Sequence, residues 1–168
     1  MAKLPEMTAY YNQAMKITLS VPVGWNGKVL APSAFRIFSP PEPHHNNYRA
    51  TLSVEQLDLS EDAEGGAEYG SAALEELIEQ SRADLAEELG GFQSAREERY
   101  TSATGQPAYA HWFSWQDPDT GLAHAQIQAL LLTEAGQLYI FNAATLQPLA
   151  GQNLPIFEHI LRSARIQG

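Results

Sequence analysis

The chain has 168 residues, 44% of them hydrophobic and 18% charged, values that suit one globular domain and exclude wholesale disorder. A formal charge of −10 with no Lys/Arg cluster sets the chain against phosphate backbones and anionic lipid, so neither nucleic acid nor a membrane surface is an expected partner. The absence of cysteine excludes disulfides, thiolate nucleophiles and cysteine-based metal sites, and no apolar run approaches the ~18–20 residues that span a bilayer.

The first residues lack the apolar segment and cleavage site of a signal peptide, so a native start at Met1 implies a cytoplasmic protein. Residues 1–13 read as a loose N-terminal arm, with Tyr10 and Tyr11 able to pin its end. Residues 14–168 read as a single domain. Met15, Ile17, Leu19 and Val21 alternate with polar residues, the period of a half-buried strand, and Pro22 stops it. Val23–Gly27 is a turn holding the large ring of Trp25. Phe35–Phe38 is a short strand, Pro40–Asn47 a loop, and Tyr48–Leu59 a longer strand with Tyr48, Ala50, Leu52 and Val54 on one face.

Charge is uneven along the chain: residues 55–98 hold fourteen of the twenty acidic side chains. Within them, Asp58–Gly66 reads as an acidic loop, too hydrophilic to favour a calcium site over a solvated turn. The spacing of Leu74, Leu77, Ile78, Leu85 and Leu89 predicts a helix over 71–89, with Ser71 as N-cap, Glu75 and Glu76 near its positive end, and Gly90-Gly91 as its stop.

Residues 100–145 then predict a four-stranded antiparallel meander: Tyr100–Ala103, Ala108–Trp115, Leu122–Thr133 and Leu138–Thr145. Its turns are Gly105-Gln106-Pro107, Asp117-Pro118-Asp119-Thr120-Gly121 and Glu134-Ala135-Gly136. A closing helix follows, capped at Asn153 or Leu154 with Pro155 in its first turn, burying Phe157, Ile160, Leu161 and Ala164. Strands, helix, strands and helix in that order give an α+β fold: one twisted antiparallel sheet of about six to seven strands flanked by helices.

Period-2 alternation divides the meander. Ala108, Ala110, Ala123, Ala125, Ile127, Ala129 and Leu131 share one side, whose small residues let the 71–89 helix approach; Trp112 joins them as core. The other side carries Tyr109, His111, Phe113, Trp115, His124, Gln126 and Gln128. That mixture has two readings. Either the C-terminal helix or the N-terminal arm covers it, or it is an open surface for a protein partner or a second copy of the chain, since aromatics with polar tips contribute area at low entropic cost. A third use, a small-molecule or metal site built on His111 and His124, needs the two rings to converge. His44-His45 lacks a third ligand nearby, so no metal or cofactor is expected. No Gly-x-Ser-x-Gly elbow, His-Glu-x-x-His pair or phosphate loop is present, and no enzymatic activity is expected.

Three short motifs, in order, resemble the PsbP-like superfamily: Val21-Pro22-Val23-Gly24-Trp25 after the opening strand, Gly105-Gln106-Pro107-Ala108 before a central one, and Phe157 to Ile166 in the closing helix. The resemblance spans residues 15–166. It implies an antiparallel sheet with flanking helices and a non-enzymatic task of binding other proteins, as in the photosystem II extrinsic protein, a Ran-binding import factor, and cytosolic chaperones of type VI secretion effectors. A chaperone or adaptor for a secreted effector is the expected branch; a photosynthetic or envelope assembly factor is the alternative.

Overall fold

A computed structural model describes residues 4–60 and 69–167; the acidic stretch Glu61–Glu64 expected as a loop lies outside them. Among the described residues ten strands form two antiparallel sheets. The larger runs β3 (Asn26–Ala31), β4 (Ala34–Phe38), β5 (Thr51–Asp58), β9 (Gln137–Leu146), β8 (Ala123–Leu132), β7 (Pro107–Gln116), β6 (Gln93–Thr101) across its width. The smaller is β1 (Met7–Asn12), β2 (Ile17–Pro22) and β10 (Arg165–Ile166). Helix α1 (Ser71–Glu88) and helix α2 (Ala150–Ser163) complete the α+β domain.

The meander forms with the expected turns. Gly105, Gly121 and Gly136 adopt φ of 94°, 72° and 88°, the left-handed region where a side chain is strained. Asp117 Oδ1 accepts the Asp119 N–H at 2.8 Å, which makes the 117–121 segment a hairpin turn. Its first strand is longer than expected: β6 begins at Gln93 and pairs with β7 around a register shift between Ser94 and Arg96.

Other expectations are corrected. Residues 7–12, read as a loose arm, form β1 and pair along β2 from Met7↔Pro22 to Asn12↔Ile17. Tyr10 packs at 5.3 Å from Phe35. Asn26 and Gly27, read as turn, open strand β3, and a Cβ at Gly27 would collide with the Tyr10 ring, so glycine here serves a close approach. The α1 N-cap is Gly70 rather than Ser71, and Glu75 pairs with Arg99 of β6 (2.8 Å) instead of serving the helix end. Helix α2 starts at Ala150, so Pro155 lies inside it. The lost N–H there is outweighed by burial of Ile156, Phe157, Ile160 and Leu161, together with the Asn153 amide, which donates to Thr145 Oγ1 at 2.9 Å.

The largest correction concerns which helix lies on which face. The alanine side of the meander packs against α2 and the small sheet, not α1. Ala108, Ala110, Trp112, Ile127, Ala129 and Phe141 share one core with Met15, Ile17, Leu19, Phe157 and Ile160. Helix α1 instead lays Leu74 and Ile78 on Tyr109, Leu130, Leu132 and Leu138 of the opposite side. The same alternation that placed Tyr109 outward also places Leu130, Leu132 and Leu138 outward, and those leucines make the platform α1 needs. Trp112 is core, as expected, with the Arg96 guanidinium 4.1 Å above its ring.

Candidate functional site

The outer face of the seven-stranded sheet holds all seven residues singled out above, and α1 divides them. Tyr109, His111 and Phe113 are buried. Trp115, His124, Gln126 and Gln128 are half-buried, at the margin of an open surface. Strand register explains the division. Tyr109 pairs with Leu130 under α1, whereas Trp115 pairs with His124 at the far end of β7.

The buried part is tied to the edge strand β6. Tyr109 donates to Glu97, which also accepts from Arg82 of α1. Burial, then Glu97, pushes the Tyr109 hydroxyl up to about 12. The Tyr109 hydrogen bond, followed by Arg82, holds the Glu97 carboxyl below the usual carboxylate range. His111 Nε2 lies 2.8 Å from Ser94 Oγ, and its ring is enclosed by Phe92, Tyr109 and Phe113. Burial lowers its pKa below 6.5, favouring neutral imidazole. A Ser–His contact is the start of a nucleophile–base pair. Among the described residues no carboxylate hydrogen-bonds the second ring nitrogen, and His111 is only 3% exposed, so a substrate has no approach to it. The contact secures β6 across the register shift.

His124 belongs to a different environment. It stacks on Trp115 at 4.4 Å and lies 6.3 Å from the Tyr48 ring. His111 lies four residue steps along β7 from Trp115, the partner of His124, a distance of about 13 Å. The two imidazoles therefore do not share a ligand. Among the described residues no group of three or more His, Asp or Glu side chains gathers where a metal ion would sit.

The open part is an amide ladder. Trp115 Nε1 donates to Gln126 Oε1 (3.0 Å), and Gln126 and Gln128 both donate to Asn142 Oδ1 (3.0 and 3.2 Å). Ser81 of α1 donates to Gln128 and closes the chain. These bonds preset the rotamers of the half-exposed polar side chains, so the surface is ordered in the chain alone.

Strand pairing extends the surface beyond the residues foreseen. A single cross-strand row reads Lys28, Arg36, Ser53, Asn142, Gln128, His111, from the edge strand β3 inward. Lys28 and Arg36 are exposed, directly opposite one another, and make no ion pair with any described residue. Like charges so placed repel. The next row adds Phe38, Thr51 and Ala144 beside Gln126. Asn142 was legible as the one polar interruption of the outward set Leu138, Ile140, Asn142, Ala144; Lys28 was not, because β3 was not recognised as a strand, and without β3 the Arg36 side chain of the expected Phe35–Phe38 strand had no cross-strand neighbour to be read against.

Comparison with solved structures identifies the architecture. LpqN of Mycobacterium tuberculosis, involved in cell envelope biogenesis, superposes with a TM-score of 0.66 at 18% identity over 97% of this chain and 91% of that one. Cyanobacterial PsbP (CyanoP) of Synechocystis gives 0.62 at 14% identity, over 98% and 95%. The Saccharomyces cerevisiae Ran-binding protein Mog1p gives 0.60 at 11%, over 97% and 96%. No protein-family model and no curated protein matches the sequence. At these identities the likeness concerns architecture. With TM-scores of 0.60 to 0.66 over at least 91% of both chains in each comparison, this chain has the PsbP-like fold.

Proposed function

We propose that the chain is a non-enzymatic protein-binding domain that docks an acidic partner on the open half of the outer sheet face. The observation that carries this reading is the Lys28–Arg36 pair. Two exposed cations stand opposite each other, in no ion pair with a described residue, on a protein of net charge −10. A carboxylate-bearing partner relieves that repulsion. The preset amides of Gln126 and Asn142 supply hydrogen bonds beside it, and Trp115, His124 and Phe38 supply apolar area. The likeness to a Ran-binding protein supports a protein partner. The finer reading is a cytoplasmic chaperone or adaptor for a secreted effector. The likeness to LpqN and CyanoP supports an envelope or photosynthetic assembly role on the same surface as the second reading.

The test is affinity capture from the native cell with wild type, Arg36→Glu and Trp115→Ala. A protein retained by wild type and lost from both variants is the expected result. Equal capture by all three, or no protein captured by wild type, contradicts the reading.

A further inference from the structure

A second surface lies on the inner side of the large sheet, where β5 and β9 run out past the small sheet. There the β1–β2 hairpin, the β6–β7 and β8–β9 turns and the chain after β10 enclose a cleft of about 770 Å³. This lies within the range of about 300–1,000 Å³ usual for ligand sites. Its lining mixes apolar surface from Ala14, Pro107, Ala135 and Ile166 with polar groups that are almost neutral in sum: four glutamine amides (Gln56, Gln106, Gln137, Gln167), one cation (Lys16) and one carboxylate (Glu134).

The geometry is fixed from behind. Tyr139 donates to Met15 O at 2.6 Å and accepts from Gln56 Nε2 at 3.1 Å. Gln56 also donates to Gln137 Oε1 at 3.1 Å. Gln106 Oε1 accepts from Ser102 and Thr104, and Gln167 Oε1 accepts from Tyr11 at 3.1 Å. With their oxygens engaged, Gln106, Gln137 and Gln167 retain NH2 groups without a described partner, while Gln56 retains its carbonyl.

Lys16 is held in the left-handed region at φ 54°, which disfavours any residue with a Cβ. Its N–H bonds Gln13 O, its carbonyl takes the Gln167 N–H at 2.8 Å, and Asn12 Oδ1 takes the Met15 N–H at 2.9 Å. So many bonds hold the Lys16 backbone in this strained conformation at the rim of the cleft. Neither Lys16 nor Glu134 forms an ion pair with a described residue.

We propose that this cleft binds a short peptide with free termini, its carboxylate on Lys16, its ammonium on Glu134, and its backbone amides on the four glutamines. Amide side chains match peptide groups donor for acceptor. One cation is too few for a phosphorylated ligand, and the buried Tyr139, the only aromatic in the lining, presents no free ring for a sugar or base to stack on. The site is on the face opposite the protein-binding surface, so the two readings stand or fall separately.

Tetraalanine is the probe, because it offers only backbone and termini. Titration calorimetry of the full chain is expected to detect binding, and saturation to raise the melting temperature. N-acetyl and C-amide forms should each bind at least tenfold more weakly. C-amidation should cost nothing further in Lys16→Gln, nor N-acetylation in Glu134→Gln, and Trp115→Ala should bind as wild type does. The capped peptides on wild type decide the matter even if a variant folds poorly. No binding of tetraalanine at millimolar concentration, or equal binding of the capped and free forms, overturns the proposal.

Discussion

The two faces of the seven-stranded sheet are built by the same strands, with alternate residues of β7, β8 and β9 going to each, yet they behave as different materials. On the inner face Ala108, Ile127, Ala129, Phe141 and Ala143 are fully sealed by α2 and the small sheet. On the outer face α1 seals only the end at Tyr109, Leu130, Leu132 and Leu138, and beyond it the strands present amides and aromatics to solvent. The inner face is held by burial, the open outer face by hydrogen bonds that also order it for contact. One strand therefore carries close-packed apolar side chains on one side and hydrogen-bonded amides on the other.

That contrast predicts a large asymmetry in stability. Phe157→Ala, on the α2 side of the inner core, should lose about 3–5 kcal/mol, whereas Gln126→Ala should lose no more than about 1 kcal/mol, both read from denaturant midpoints. Comparable losses would mean that the amide ladder is structural. Tyr109→Phe falls between them. It removes one hydrogen bond to Glu97, worth about 1–2 kcal/mol given that Glu97 is partly solvated, and frees Glu97 to titrate nearer its ordinary range.

Acid should act on the covered end of the outer face first. The folded pKa of His111 is lowered, so the folded state prefers the neutral ring. Its contribution is fully present above about pH 6.5 and is lost as pH falls from there through the folded pKa, because the unfolded chain takes up the proton more readily. Unfolding free energy should therefore decline as pH falls below about 6.5, less so in His111→Gln. An NMR titration midpoint for His111 at or above 6.5 would contradict the assignment. The depressed Glu97 and Glu98 carboxyls add a second loss below about pH 4.5, in the same direction.

Much of this was legible in the chain. The glycine and proline turns placed the meander, and alternation assigned each of its side chains to the correct face. Alternation is silent on what covers a face. It set Tyr109, His111 and Phe113 beside Trp115 as equals, although α1 and Phe92 bury the first three. The outward leucines at 130, 132 and 138 were the missing signal. Strand β3 escaped because its exposed sequence Asn-Gly-Lys-Val-Leu-Ala has no buried periodicity, and with it went the Lys28–Arg36 row. The Ser94–His111 contact depends on a register shift that local pattern does not encode.

A modest expected change in stability carries the largest functional one. Trp115→Ala removes a half-buried ring and one hydrogen bond and should cost about 1–2 kcal/mol, yet abolish partner capture. The most direct measurement is oxidative footprinting of the chain, free and bound to a captured partner. The account predicts protection of Phe38, Trp115 and His124 in the complex, with Tyr139 unchanged. Unchanged labelling of those three residues, with protection elsewhere on the domain, would place the partner on another surface and contradict it.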